Sequence, residues 1–121
     1  MATIRPVGSW VAPHVHRVIW EGITTSDDVV EPASDVSFPH KTVTVTGTFN
    51  SVTLTIEGNT TTDRTATTGW VTLNDINGSA LTFTADRAET IAENPTFIRA
   101  RASGATGGVQ DIDVVMISTH A

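Results

Sequence analysis

Cysteine is absent from this 121-residue chain. That excludes a disulfide framework, a thiolate zinc site and a cysteine nucleophile. Tyrosine is absent too, and tryptophan contributes only three residues, so aromatic platforms for stacking sugars are scarce. Lysine and arginine total 7 against 13 acidic residues, a net charge of −6. The few bases are scattered and build no basic patch, which makes nucleic acid and anionic membrane poor partners. No apolar run approaches the ~18 residues of a membrane span. The opening MATIRPVGSW lacks the continuous apolar core of a signal peptide, which argues against classical secretion.

What is abundant is threonine, 22 residues of it. Threonine and valine suit pleated, half-buried surface, so composition favours strands over helices. The length is that of one domain, able to bury roughly two thirds of its surface.

The clearest pattern is Lys41–Gly58, KTVTVTGTFNSVTLTIEG. Val43, Val45, Gly47 and Phe49 take odd positions, while Val52, Leu54 and Ile56 take even ones. The parity changes once, at Asn50-Ser51. A two-residue turn there predicts a hairpin pairing Phe49 with Val52, Gly47 with Leu54 and Val45 with Ile56. A bulge within one long strand is the other reading.

Around this stretch the chain divides readily. Residues 1–13 carry Pro6, Gly8 and Pro13 beside Trp10-Val11, and read as an N-terminal arm without a core of its own. Such an arm either frays or docks on a neighbour, with tryptophan as a suitable anchor. Residues 14–121 read as the domain proper. His14–Ile23 is a strand candidate with apolar residues on both faces. Residues 24–39 and 59–69 read as loops that cross between sheets. Asn77-Gly78 marks a hairpin between Trp70–Leu73 and Ala80–Ala85. Asp86–Asn94 predicts one helical turn or an extended crossover. A last hairpin is expected to oppose Phe97 to Val115, Arg99 to Asp113 and Arg101 to Asp111 around a glycine-rich loop holding Gly104, Gly107 and Gly108. About seven to eight short strands at this spacing predict a single antiparallel β-sandwich, in jelly-roll or Ig-like order.

The chain carries no recognisable catalytic pattern. There is no G-x-S-x-G elbow and no phosphate-cradling glycine loop. His14-x-His16 is the best metal candidate, with His40 or His120 as a third ligand, but an ordinary strand-edge pair is the better reading. Asp27, Asp28, Glu31 and Asp35 read as a solvated loop rather than a calcium site. Asp75–Gly78 fails the calcium-loop pattern, because Leu73 and Thr84 fall where carboxylates belong. No catalytic residue, metal or cofactor is therefore expected.

Four segments in order, VTVTGTFNSVTLTIEGN, WVTLNDINGSALTFTA, ETIAENPTFIRARASGATGG and DIDVVMIS, resemble the head-decoration, or cement, proteins of tailed bacteriophages and related virion β-sandwich domains. The likeness runs from Thr42 to Ile117. It implies a non-enzymatic virion protein, made in the host cytoplasm, that sits on the capsid exterior and binds the major capsid protein, often as a homo-oligomer such as a trimer. A tail or baseplate component and a carbohydrate-binding sandwich module are the alternatives. The first forty residues lie outside the likeness, and Trp10, Val11 and His14 are the expected partner contacts.

Overall fold

The computed structural model describes residues 3–23, 29–33, 39–104 and 110–119. The chain is an all-β sandwich of two antiparallel sheets, with no helix among the described residues. Its strand segments are β1 Thr3–Ile4, β2 Val7–Ala12, β3 Val15–Ile23, β4 Val29–Val30, β5 His40–Thr48, β6 Val52–Asn59, β7 Val71–Thr72, β8 Thr82–Phe83, β9 Arg87–Ile91, β10 Phe97–Gly104 and β11 Asp111–Thr119. Seven of these are five residues or longer.

One sheet runs β2-β3-β11-β5-β9. In the other, β6 pairs with β10 on one side and with the short β7 and β8 on the other. A small parallel ladder, β1 with β4, lies beside the second sheet, joined to it by the Ala33–Ile98 bridge. The core fills the space between the layers. Val18, Trp20, Val43, Val45, Val114 and Met116 enter from the first sheet, and Val52, Leu54, Ile56, Phe83, Ile98 and Ala100 from the second, each at most 2% exposed.

The two expected long hairpins do not form, for a common reason. At Asn50-Ser51 the chain does turn: both residues have positive φ, 45° and 71°, and the Val52 amide donates to the Phe49 carbonyl at 2.9 Å. Beyond that bond the strands part, β5 to one sheet and β6 to the other. The turn is an arch between layers, and the parity change lets both apolar rows face one interior from opposite sides. The exposed Thr42, Thr46 and Thr48 mark the outer face of β5. Likewise β10 pairs with β6, and β11 lies between β3 and β5. Arg99 therefore stands opposite Glu57, not Asp113, and binds it at 2.9 Å, with Arg101 at 3.8 Å from the same carboxylate. Alternation specifies which side of a strand is buried, not which strand lies beside it.

Other expectations fare differently. The Asn77-Gly78 turn forms, with Gly78 at φ 84° and its amide on the Asp75 carbonyl. Asp86–Asn94 is extended, and its β9 is an edge strand on β5. Residues 60–70 join β6 to β7 within one sheet. The chain crosses between the sheets at 49–51, 84–86 and 92–96 and again between β10 and β11, while the chain between β3 and β5 reaches the second sheet through the Ala33–Ile98 bridge, as expected of 24–39. Gly107 and Gly108 lie outside the described residues. Gly22, at φ 70°, makes a bulge in β3. Its amide donates to Asp113 Oδ1 at 3.0 Å. The extra residue changes the parity of β3, so Ile23 joins Val18 and Trp20 in the core.

Candidate functional site

The segment read as an N-terminal arm without a core of its own pairs with the first sheet. β2 folds back on β3 through Pro13-His14, where His14 takes a left-handed φ of 65°. Val7–Ala12 is thus an edge strand, hydrogen-bonded to β3 on one side and to no described strand on the other. It still has no core of its own, because all six of its residues are exposed. Val7, Trp10 and Val11 are 60–63% exposed. Edge strands usually carry charges or prolines that discourage pairing. Val7–Ala12 contains neither, and Pro6 and Pro13 stand just outside it.

The three expected contact residues lie close together in sequence but differ in setting. Trp10 stands opposite His16 on the core side of the sheet. Its ring meets the His16 ring edge-on, with centroids 4.8 Å apart and planes at 70°. A Cβ at Gly8 would come within 2.9 Å of His16 Cε1, so glycine there leaves the imidazole its room. Val11 sits where the β2–β3 register shifts, and His14 is exposed at the turn. With Val7, the exposed Trp10 and Val11 make this edge of the sandwich an open, apolar ledge.

From that ledge one row crosses the whole sheet on its inner face. Register places Trp10 opposite His16, His16 opposite Ser118, Ser118 opposite Lys41, and Lys41 opposite Ile91. His16, Ser118 and Lys41 are 4%, 1% and 1% exposed. The amine of Lys41 donates to Asn94 Oδ1, in the link that leaves β9. Burial lowers the pKa of Lys41 by penalising its charged form. Lys41 is not among the expected site residues, although it shares the odd positions of Val43 and Val45, which period two turns inward.

His14 and His16 do not face one way as strand neighbours would, because the turn intervenes. Among the described residues no three His, Asp or Glu side chains converge as metal ligands would. His40 is exposed at the start of β5. His120, Asp27, Asp28 and Asp35 lie outside the described residues. Glu31 pairs with Arg5 at 3.5 Å. Asp75 accepts the Asn77 and Ser79 amides at 2.9 and 3.0 Å, the work of a turn residue.

Two open clefts lie among the described residues. One, of about 360 Å³, lies among Gly58, Asn59, Val71, Leu73, Glu93 and Pro95. Its Glu93 carboxylate is engaged by the Asn74 amide and side chain at 2.9 and 2.8 Å. The other, of about 370 Å³, is lined by Val30, Pro32, Arg64, Trp70 and Arg99. There the Arg99 guanidinium lies 4.1 Å over the Trp70 ring, whose Nε1 donates to the Ala66 carbonyl at 2.9 Å. Trp70 is half-buried at this rim, whereas Trp20 is fully enclosed and donates to the Glu31 carbonyl at 2.9 Å.

No protein-family model matches the chain, and no curated protein matches it.

Proposed function

We propose that this chain is a structural, non-enzymatic protein of a bacteriophage virion, which decorates the outside of the capsid by binding the major capsid protein. The observation that carries the reading is the β2 edge: an uncharged strand with Val7, Trp10 and Val11 largely exposed, presented at the side of the sandwich. Edges of this kind accept an extended segment of a partner, with main-chain bonds supplying affinity and side-chain contacts supplying choice. Exposed tryptophan is the residue type most enriched among binding hot spots. The resemblance in strand order and turn motifs supplies the capsid as partner. A homo-oligomer such as a trimer would multiply a modest contact by avidity.

The test compares capsid shells assembled with and without the protein. Decorated shells should melt higher and resist low salt better, and cryo-electron microscopy should place the sandwich on the exterior with β2 toward the shell. Shells of equal stability remove the stabilising role. Density on the tail would transfer the protein to the tail reading.

A further inference from the structure

We propose that Lys41 and Asn94 become joined by an intramolecular isopeptide bond, making the sandwich a covalently closed fold. The two residues come from separate segments, 53 positions apart. Lys41 projects inward from β5, opposite Ile91 of β9. Three residues after Ile91, Asn94 returns over the amine, and its Oδ1 is in contact with Lys41 Nζ. That contact holds the amine beside the side-chain amide, one covalent bond from its carbonyl carbon, so nucleophile and electrophile are already neighbours.

The chemistry balances without a cofactor or oxidant. Neutral Nζ attacks Cγ of Asn94, a new Nζ–Cγ bond forms, and the Cγ–Nδ2 bond breaks. One of the two amine hydrogens stays on the new secondary amide. The other leaves with Nδ2 as ammonia, and Asn94 is exposed, so the ammonia has a path to solvent. Only an uncharged amine is a nucleophile, and desolvation favours that form of Lys41. Ser118, directly opposite Lys41, and His16, opposite Ser118, bring a hydroxyl and an imidazole into the same buried row. These are groups that can accept a proton from nitrogen and return it.

The link would be well placed. It ties β5 to the segment 92–96, where the chain leaves the first sheet for β10 of the second. In a chain without cysteine, a lysine–asparagine bond is a covalent staple that needs no oxidising compartment.

Peptide mapping of the purified full-length protein tests this. Intact mass should fall about 17 Da short of the sequence, the mass of ammonia. Succinimide formation at Asn77-Gly78 gives the same deficit, so the deciding readout is the linked peptide. Trypsin should fail to cut after Lys41 and should release residues 18–64 bonded to 88–99. Lys41→Arg and Asn94→Ala should each abolish that species, and His16→Gln should slow its appearance. Full mass together with cleavage after Lys41, persisting after prolonged incubation at mildly alkaline pH, overturns the proposal. The wild-type digest decides it whether or not the variants fold. The outcome is also independent of whether the protein binds a capsid.

Discussion

Single residues in this fold are held by close backbone contacts that composition does not reveal. Gly47 sits at φ 138°, and a Cβ there would overlap the Asp111 carbonyl oxygen on the neighbouring strand. Gly22 also has a positive φ, 70°, but open space where its Cβ would go. Gly47→Ala should therefore cost roughly 2–4 kcal/mol, and Gly22→Ala only about 1 kcal/mol, the conformational penalty alone. Chemical denaturation of the two variants measures the difference, and equal losses would show that the Gly47 clash relaxes freely. A second residue-scale prediction concerns Asp63. The Thr65 hydroxyl and then the Thr65 amide, at 2.8 and 2.9 Å, hold its pKa below the ordinary value. A depressed carboxylate pKa stabilises the fold above the ordinary carboxyl range, and that contribution is lost as pH falls through the lowered value. Thr65→Val should raise the Asp63 pKa toward 3.8, read by carboxyl chemical shifts in an NMR titration.

At the scale of elements, the β5–β6 arch is the feature most open to improvement. Ser51 carries a φ of 71°, a region costly for any side chain, and follows Asn50, which tolerates its own 45°. Ser51→Gly should therefore add about 0.5–1 kcal/mol of stability. Thermal unfolding checks it, and a loss of stability would mean that the Ser51 side chain makes a contact worth more than the strain. The pairing of β10 with β6 is marked by Arg99, which binds Glu57 and covers Trp70. From sequence, the same arginine had an equally good partner in Asp113. Opposite charges at matching parity are necessary for a cross-strand pair, but they do not select between two candidate neighbours.

For the whole molecule, burial separates two tryptophans into different roles. Trp20 is fully enclosed, and Trp20→Ala should cost about 3–5 kcal/mol. Trp10 is 62% exposed on the β2 edge. Trp10→Ala should change stability by less than about 1 kcal/mol and, under the proposed role, weaken capsid binding on the order of tenfold or more. Circular dichroism melts and co-sedimentation with shells separate the two effects. Undiminished binding by a folded Trp10→Ala protein would move the contact elsewhere on the surface.

The sequence by itself determined the β class, the period-two rows of Val43, Val45, Val52, Leu54 and Ile56 and the turn at Asn77-Gly78, and it marked Asn50-Ser51 as the point where the parity changes. These follow from side-chain period and backbone preference, which act over a few neighbouring residues. Only the tertiary structure decided that β5 and β6 belong to opposite layers, that residues 7–12 pair with β3 as an edge strand, and that Lys41 lies buried against Asn94. Strand neighbours are chosen by contacts between residues far apart in the chain. A two-residue turn is equally able to close a hairpin or to arch across a core, and the packing of the two apolar rows against each other decides which.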